Sequence, residues 1–414
     1  MFLLYNAAIR LFRVLIWLSS FTQTKTRQWI LGRKHLLQQL EAIDFYKHPI
    51  VWFHCASLGE FEQGRPVIEQ FRADFPQYKI LLTFFSPSGY EVRKNYQGAD
   101  FVFYLPLDTP SNARRFVEIV RPKLVFFIKY EFWFNYLKYL RANNIPLFYV
   151  SVIFRPQQVF FKWYGGWFRR QIQQASHFFL QNEASALLLQ SIGIPQFSIS
   201  GDTRFDRVHA IARSAPANPL IVAFTQHHRI VLLGSSWEED EQLIQSVFHD
   251  LPADIKLIIA PHEPSAKHVQ QIHQLFSFPV INYSELNAEN AAQHKAVCID
   301  PIGMLSSLYQ YAHIAFIGGG FGKGIHNVLE AATFGKPVVF GPNYQKFAEA
   351  VELIGTGGAF SVRNSSDLLP VLQQLFSEDE FYKKTSQAAK QYVESKTGAC
   401  KIILEHTKEA LQIQ

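Results

Sequence analysis

The chain of 414 residues is long enough for two or three domains of ordinary size. With 48% hydrophobic and 18% charged residues, its composition excludes a disordered chain and is typical of a globular protein. The formal net charge of +6 suits nucleic acid, a membrane surface or a phosphorylated substrate, and does not choose among them.

The first predicted element is an apolar helix in the N-terminal stretch MFLLYNAAIRLFRVLIWLSSF. Arg10 and Arg13 interrupt it and share one helix face. Because each charge at mid-membrane costs about 2.5–3.5 kcal/mol, an amphipathic helix lying in the membrane interface is favoured over a plain span. A buried core helix is the alternative. Lys25 and Arg27 follow closely, and such positive flanks predict the cytoplasmic face of a membrane.

Strands and helices then alternate in two series. After a basic helix ending near residue 46, the first series has strands at PIVWFHCAS, YKILLTFFS, ADFVFYLPLD, KLVFFIKY and IPLFYVSVIF. A break rich in Gly, Pro and Ala at residues 201–219 separates it from strands at RIVLLGSS, IKLIIAPHEP, AVCID, AHIAFIGGG and KPVVFGP. Nearly continuous apolar strands that alternate with helices predict parallel sheets covered on both faces.

The predicted architecture is α/β, with two Rossmann-like, doubly wound domains facing a central cleft. Residues 1–46 form a membrane-anchoring and basic helical segment, 47–205 the first domain, 206–220 a linker and 221–414 the second domain. This is the plan of a GT-B glycosyltransferase, although oxidoreductases and periplasmic-type binding proteins share it.

In the first domain, two carboxylates follow strands at the edge where such sheets bind ligands. Glu60 ends the segment SLGE at a helix start, and Glu131 lies in KYEFW. Either could simply complement a helix dipole, at about 0.3–1 kcal/mol. The functional alternative for Glu60 is a general base that accepts a proton from an attacking hydroxyl.

In the second domain, the segment FIGGGFGKGIHNVLEAATFGKPVVFGP at residues 316–342 predicts a strand, a glycine-rich phosphate-binding turn and a helix from about His326, with Gly335 as its C-terminal stop. The spacing matches neither the dinucleotide fingerprint nor a Walker A loop. Asn327 and Glu330, three residues apart, share a helix face that could contact phosphate and ribose, or simply be exposed.

Nothing in the sequence predicts a metal site. No Asp-x-Asp pair occurs, so the chemistry is expected to need no metal and no other cofactor. Cys55, Cys298 and Cys400 show neither zinc-ligand nor disulfide spacing. The positive charges are dispersed and no recognition motif appears, which argues against a nucleic-acid binder.

Taken together, these segments resemble the 3-deoxy-D-manno-octulosonic acid (Kdo) transferases of Gram-negative bacteria over essentially the whole chain. The similar segments are HCASLGE, PSGYE, KYEFWFNYL, GDTRFD and GGGFGKGIHNVLEAATFGKPVVFGP, in this order. The resemblance implies a GT-B fold, CMP-Kdo as donor, a lipid A precursor as acceptor, transfer with inversion, and a place at the cytoplasmic side of the inner membrane.

The resemblance also implies roles for particular residues. Glu60 matches the base that deprotonates the acceptor hydroxyl, and Glu131 and Arg204 match two positions that stabilise the transition state. The segments that match the CMP-binding positions comprise Pro261 and His262, then Ile302, Gly303 and Met304, then Asn327, Val328, Leu329 and Glu330.

The sequence departs from the family pattern in three places. His262 and Glu263 stand where the family has Arg-His, Met304 replaces a glutamate, and Arg204 replaces a lysine. Two alternatives therefore stand beside Kdo transfer: another GT-B glycosyltransferase that uses a UDP-sugar and a membrane lipid acceptor, and a catalytically inactive membrane-associated binding protein.

Overall fold

The computed structural model describes residues 1–412, which form two compact units. The first unit comprises Met1–Arg207 together with the chain from Thr397 onwards, and the second comprises Val208–Lys396. Each unit is built around one seven-stranded sheet whose strand pairs are all parallel, as the two series of apolar strands predict.

The first sheet has the strand order β3-β2-β1-β4-β5-β6-β7. Its strands are β1 (Ile50–Cys55), β2 (Lys79–Phe84), β3 (Phe101–Tyr104), β4 (Leu124–Ile128), β5 (Leu147–Val152), β6 (His177–Leu180) and β7 (Phe197–Ile199). Every residue of β1 and β4 is buried, because helices cover both faces of a parallel sheet.

Ten helices precede, separate or follow these strands. They are α1 (Phe2–Ser19), α2 (Thr24–Leu31), α3 (Leu36–Glu41), α4 (Leu58–Asp74), α5 (Pro87–Arg93), α6 (Pro110–Val120), α7 (Phe134–Ala142), α8 (Gly166–Ile172), α9 (Glu183–Ser191) and α10 (Thr203–Ser214). Aromatic rings fill much of the core beneath them. Trp52 of β1, for example, packs against Phe116 of α6 and Tyr136 of α7, with ring centroids 4.8 and 5.5 Å away.

The second sheet has the order β10-β11-β9-β8-β12-β13-β14. Its strands are β8 (Arg229–Ser236), β9 (Ile255–Pro261), β10 (Val280–Asn282), β11 (Ala296–Cys298), β12 (Ile314–Ile317), β13 (Val338–Phe340) and β14 (Ala359–Ser361). The remaining helices are α11 (Pro219–Thr225), α12 (Glu238–Phe248), α13 (Ala266–Leu275), α14 (Leu305–Leu308), α15 (Leu329–Ala332), α16 (Ala348–Gly355), α17 (Ser365–Ser377), α18 (Asp379–Glu394) and α19 (Ala399–Gln412). Single 3-10 turns occur at Phe45–Lys47, Val159–Phe161, Tyr283–Glu285, Ala291–Gln293 and Tyr309–Tyr311.

The division into units corrects three of the predicted domain boundaries. Residues 1–46 do not form a segment of their own, since Leu36 and Leu40 belong to the core of the first unit. The predicted linker at 206–220 is largely helical, because the sequence from Thr203 continues as α10 and α11 begins at Pro219. The end of the chain was assigned to the second domain, whereas α19 belongs to the first unit and packs Ile403 against its sheet.

The N-terminal helix α1 is long and apolar enough to cross a membrane, judged by length and composition. None of its residues is buried, so the alternative of a buried core helix is wrong. Part of its surface nevertheless contacts the first unit. The Tyr5 hydroxyl donates a 2.5 Å hydrogen bond to the Asp108 carboxylate, and the ring of Phe2 packs edge-on against Trp167 at 5.1 Å.

Candidate active site

The order of the first sheet reverses between β1 and β4, because the chain moves outward from β1 through β2 and β3 and then returns to β4 on the other side. Ligands of doubly wound sheets bind at the carboxyl ends of strands beside such a reversal. Glu60 lies in the first turn of α4, directly after β1, and Glu131 lies between β4 and α7. Both predicted carboxylates therefore lie at this reversal point.

The Glu60 carboxylate is held by one of its two oxygens. Oε2 accepts hydrogen bonds from the backbone N–H groups of Ala56, at 2.5 Å, and Ser57, at 3.2 Å. Among the residues that the structure describes, no hydrogen bond reaches Oε1. The helix-start role and the catalytic role are thus compatible, since the first uses Oε2 and leaves Oε1 for a ligand.

Burial, and then the negative charge of Glu131, raise the pKa of Glu60 to about 8. The two backbone N–H donors and the charge of Lys129 act in the opposite direction and favour the ionised form. A carboxyl group with a pKa near neutral is suited to exchange protons with a substrate.

Glu131 is oriented by a chain of buried polar groups. Its Oε2 accepts a 2.7 Å hydrogen bond from Trp133 Nε1 and lies 3.3 Å from His54 Nε2. On the other side of the fully buried imidazole, Nδ1 lies 2.9 Å from the hydroxyl of Thr83, which accepts from Trp52 Nε1. Every atom has a partner when His54 donates from Nε2 to Glu131 and accepts at Nδ1 from Thr83.

The backbone between β4 and Glu131 is strained at Lys129, whose φ of 63° lies in the left-handed region. Such a conformation in a residue other than glycine costs about 1–3 kcal/mol and is frequent at functional sites. A 2.8 Å hydrogen bond from Lys129 N–H to Val150 of β5 holds it. The conformation brings the Lys129 charge within range of Glu60, where it favours the carboxylate.

Arg204, the third predicted catalytic residue, lies in the first turn of α10 and pairs with a residue of its own segment. Its guanidinium binds Asp202 through Nε at 2.9 Å and Nη2 at 2.8 Å. Asp202 in turn accepts a long, 3.5 Å hydrogen bond from Gln63, one helical turn after Glu60. Tyr130 lies within electrostatic range of both Glu60 and Asp202. Burial raises the pKa of Tyr130, and the negative charges of these two carboxylates raise it further. Glu60, Glu131 and Arg204 therefore lie in one polar region of the first unit.

In the second unit, the strand order reverses between β8 and β12, and the glycine-rich loop follows β12. Asp240 of α12 holds this loop to β8: its Oδ2 accepts 2.9 Å hydrogen bonds from the N–H groups of Gly319 and Trp237. Burial raises the pKa of Asp240 to about 6. Gly318 leaves no room for a side chain, because a Cβ there would lie 2.3 Å from the Ser235 carbonyl oxygen.

Three rings stack beside this loop, and one of them is the predicted donor residue His262. The His262 and His326 rings are stacked with centroids 4.2 Å apart, and the indole of Trp237 lies 5.0 Å from His262. Trp237 Nε1 also donates to His326 Nε2 at 3.1 Å. The preceding donor residue, Pro261, is the last residue of β9 and is buried.

The predicted helix from about His326 is corrected to the four-residue helix α15, which begins at Leu329. Asn327 precedes it, accepting from Leu329 N–H at 3.1 Å and donating to the Glu330 carboxylate at 3.0 Å. Val328 and Leu329 are buried, so they could offer a ligand only backbone atoms. Gly335, with φ of 65°, ends the turn after α15, as predicted.

The predicted donor segment at residues 302–304 forms the loop before α14. Ile302 is 88% exposed, and Gly303 follows it with φ of 95°. Met304 leads directly into α14, and its carbonyl accepts hydrogen bonds from Ser307. Over residues 1–412, no hydrogen bond or ring contact joins this loop to Trp237, His262 or His326.

Within the described part of the chain, no group of three or more His, Cys, Asp or Glu side chains is arranged to hold a metal ion. Cys55, Cys298 and Cys400 are buried free thiols, which agrees with the absence of a predicted disulfide framework.

Comparisons with known proteins show what the chain is similar to. Residues 27–207 match the family described as "3-Deoxy-D-manno-octulosonic-acid transferase (kdotransferase)". The 3-deoxy-D-manno-octulosonic acid transferase of Haemophilus influenzae is 26% identical over 377 residues, covering 87% of each chain. That of Rickettsia prowazekii is 23% identical over 397 residues, covering 91% of this chain and 83% of the relative. The chain is therefore similar to Kdo transferases over most of its length.

The expected GT-B fold is confirmed. The structure of UDP-GlcNAc 2-epimerase from Neisseria meningitidis bound to UDP-GlcNAc superposes with a TM-score of 0.61, covering 87% of this chain and all of the other, at 17% identity. That similarity concerns the fold alone.

The sequence alone does not predict several residues of the candidate site. His54 lies inside the segment HCASLGE and Lys129 inside KYEFW, so both positions were noted without a role. Trp237, Asp240 and His326 become neighbours only through the pairing of β8 with β12. The sole signal for Asp240 was its place at a helix start after a strand, which many surface aspartates share.

Proposed function

We propose that the protein transfers Kdo from CMP-Kdo to a sugar hydroxyl of a lipid A precursor, with inversion at the anomeric carbon and with Glu60 as the base. The observation that carries the assignment is the state of Glu60. One of its oxygens is fixed by backbone N–H groups, and burial beside Glu131 raises its pKa to about 8. Similarity to Kdo transferases supports the reaction class.

In the proposed reaction, the acceptor hydroxyl gives its proton to Glu60 Oε1 as its oxygen attacks the anomeric carbon of Kdo. The bond from that carbon to the phosphate oxygen breaks, and CMP leaves with the electron pair from the opposite face. One base is sufficient for a single displacement with inversion. Because Oε2 stays bonded to Ala56 and Ser57, the carboxylate keeps its orientation while the proton moves.

We assign Glu131 and Arg204 to the stabilisation of the transition state. His54 and Trp133 hold the Glu131 carboxylate in place. Arg204 is held by Asp202, a pairing that keeps its guanidinium oriented and offsets part of its charge. Binding of an anionic substrate would compete with Asp202 for this guanidinium.

We assign the donor nucleotide to the second unit. The stack of Trp237, His262 and His326 provides aromatic surface for a base at the position where the family pattern has an arginine. Ile302, Gly303, Met304 and the segment from Asn327 to Glu330 remain predicted CMP contacts.

We further propose that the reaction needs no metal. The sequence has no Asp-x-Asp pair, which is the usual device for binding a divalent ion on a nucleotide sugar. The positively charged groups of the chain would then stabilise the phosphate as it leaves.

We place the protein on the cytoplasmic side of the inner membrane, with α1 lying in the interface. Leu3 and Leu4 are highly exposed on this helix, whereas Phe2, Tyr5 and Phe12 contact the first unit. A helix held to the protein surface along its length, with Arg10 and Arg13 on it, is suited to lie on a bilayer. The exposed Trp163, near the Trp167 that packs on Phe2, is typical of an interfacial anchor.

The deciding experiment is a transfer assay with purified protein, CMP-Kdo generated in situ and a tetraacylated lipid A precursor, with and without EDTA. We expect Kdo transfer in both conditions, and a loss of about 100-fold or more in Glu60→Gln, with CMP binding retained. Glu69→Gln, an exposed carboxylate two turns further along α4, is the matched control and should remain active.

Each other outcome removes a distinct part of the proposal. Full activity in Glu60→Gln would show that another group is the base, and loss of activity with EDTA would contradict metal independence. If the folded wild-type protein transfers nothing from CMP-Kdo but is active with a UDP-sugar, the alternative donor is correct. Lipid binding without turnover of any donor would identify a binding protein.

A further inference from the structure

A cavity of about 870 Å³ opens on the first unit between α1, the segment joining α2 to α3, and the residues between β3 and α6. Five cationic side chains line it: Arg10, Arg13, Arg33, Lys34 and Arg115. Among the residues that the structure describes, no aspartate or glutamate is part of the lining. Such a concentration of one sign of charge is suited to attract and bind an anion.

Arg33 is held in the cavity wall by several hydrogen bonds and ring contacts. Its guanidinium lies 3.8 Å from the centre of the Trp29 ring and 4.7 Å from that of Tyr104. It donates to the carbonyl oxygens of Phe85, Leu105 and Trp29 at 2.7, 2.9 and 3.1 Å. These neutral acceptors fix the group without neutralising it, and they use three of its five N–H donors.

The other charges are less constrained. Arg115 pairs with Glu41, which lies outside the lining. Arg10 and Arg13 are exposed on the α1 face that borders the cavity. The two charges that interrupt this apolar helix therefore both line the cavity. Burial lowers the pKa of Arg33 to about 9, which still leaves it protonated at neutral pH.

The remaining wall is apolar and continues onto the exposed face of α1. Val14, Trp17 and Leu107 contribute to the lining, and half of the Trp17 side chain is open to solvent. A small inorganic anion would leave this wall in contact with water. A ligand that carries both a phosphate and an acyl chain would cover both parts of the surface.

The cavity also lies close to the candidate catalytic carboxylates. Phe85, whose carbonyl binds Arg33, packs against Trp133 with ring centroids 4.8 Å apart, and the Trp133 indole donates to Glu131. One layer of side chains therefore separates the bound face of Arg33 from Glu131.

We propose that this cavity binds a phosphate monoester carried by an acyl-chained amphiphile, with Arg10, Arg13 and Arg33 contacting the phosphate. The proposed acceptor belongs to this class, and to that extent the inference rests on the proposed function. Binding is measured without a donor, so the cavity and the transfer activity can fail independently.

The test is flotation of the full chain with phosphatidylcholine vesicles that contain phosphatidate, which exposes a phosphate monoester, or phosphatidylserine at matched surface charge. We expect tighter binding to phosphatidate. The exposed double variant R10Q/R13Q should bind phosphatidate vesicles roughly tenfold more weakly, because charged hydrogen bonds to the phosphate are lost. The control K25Q/R27Q removes the same charge from exposed positions outside the cavity and should keep the preference for phosphatidate.

Equal losses in the two double variants, or equal binding of the two lipids by the wild type, would overturn the proposal, because general electrostatic attraction would then account for binding. Displacement of the vesicles by inorganic phosphate alone would overturn the requirement for an amphiphile. Arg33→Lys keeps the charge and should lose the preference for phosphatidate, since lysine cannot reproduce the fixed guanidinium geometry. An unchanged preference in folded Arg33→Lys would also contradict the proposal.

Discussion

The imidazole Nε2 of His54 lies 3.3 Å from the carboxylate Oε2 of Glu131. His54 itself has no exposed surface. The carboxylate is therefore positioned from inside the protein, through an imidazole that is itself held by Thr83. This relationship makes His54 a positioning residue of the proposed reaction.

We predict that His54→Ala lowers kcat by roughly tenfold to 100-fold with little change in the KM for donor, because Glu131 loses a partner that orients it. The free energy of unfolding should fall by about 1–3 kcal/mol, since the variant removes buried hydrogen bonds. Steady-state kinetics and urea unfolding would measure both. The control is His177→Ala, which removes another buried histidine, one bonded to Ser198. If both variants lower kcat equally at equal stability, His54 has no specific role.

The pKa of Glu60 predicts the pH dependence of transfer. A general base acts in its ionised form, so kcat/KM should rise by about tenfold per pH unit as the pH approaches 8 and then level off. Lys129 favours the ionised form, so Lys129→Gln should shift this limb to higher pH. Profiles of kcat/KM against pH for the two proteins test the assignment, which would be contradicted by superimposable profiles.

The same shift has a consequence for stability. Glu60 has a higher pKa in the folded than in the unfolded protein, so its contribution to stability is full below the unfolded pKa and is lost as the pH rises to about 8. Glu60→Gln cannot ionise. The free energy of unfolding of Glu60→Gln, relative to that of the wild type, should therefore increase by up to about 1 kcal/mol per pH unit between pH 5 and 8. Above pH 8 this difference should stay constant. Urea unfolding across this range is the measurement. Glu118→Gln, at an exposed position of α6, should show no such trend.

The glycine loop of the second unit offers a paired test. A Cβ at Gly318 would lie 2.3 Å from the Ser235 carbonyl oxygen, whereas one at Gly322 would meet its nearest neighbour, the Gly319 carbonyl oxygen, at 3.7 Å. Gly318→Ala should lower the free energy of unfolding by about 1–3 kcal/mol and weaken CMP binding. Gly322→Ala should change neither by much. Calorimetric titration would measure the affinity for CMP. If folded Gly318→Ala binds CMP as tightly as the wild type does, the loop is not part of the donor site.

The bond between Tyr5 and Asp108 predicts how firmly α1 is held. Tyr5→Phe leaves a buried carboxylate without one of its donors and should weaken docking of the helix by about 1–2 kcal/mol. Trypsin would then cut faster at Arg10 and Arg13 in the absence of lipid. Tyr46→Phe, at an exposed ring, is the control. Equal cleavage rates in both variants would show that the hydrogen bond does not hold α1 in place.

The sequence was most informative where a local pattern decides the structure. The apolar run at residues 124–128, for example, is typical of a buried strand between helices, and it forms β4. It was least informative where distant segments meet. The pattern of α19 shows an apolar face but not which sheet that face covers, and no spacing brings Trp237 to His326. The strain at Lys129 depends on the backbone path between β4 and α7, which side-chain periodicity does not describe.

The placement of α19 in the first unit affects how the chain can be synthesised. Asp206 lies near the end of Met1–Arg207, the first of the two chain segments that form the first unit. It accepts hydrogen bonds from the N–H groups of Gly398 and Cys400 at the start of α19. The first unit therefore lacks one of its covering helices until residues 399–412 have left the ribosome. During that delay the apolar surface around Ile68 and Phe148 has no native cover from Ile403 and His406, and it is then open to chaperones. A chain shortened by a late stop codon would lose this cover permanently.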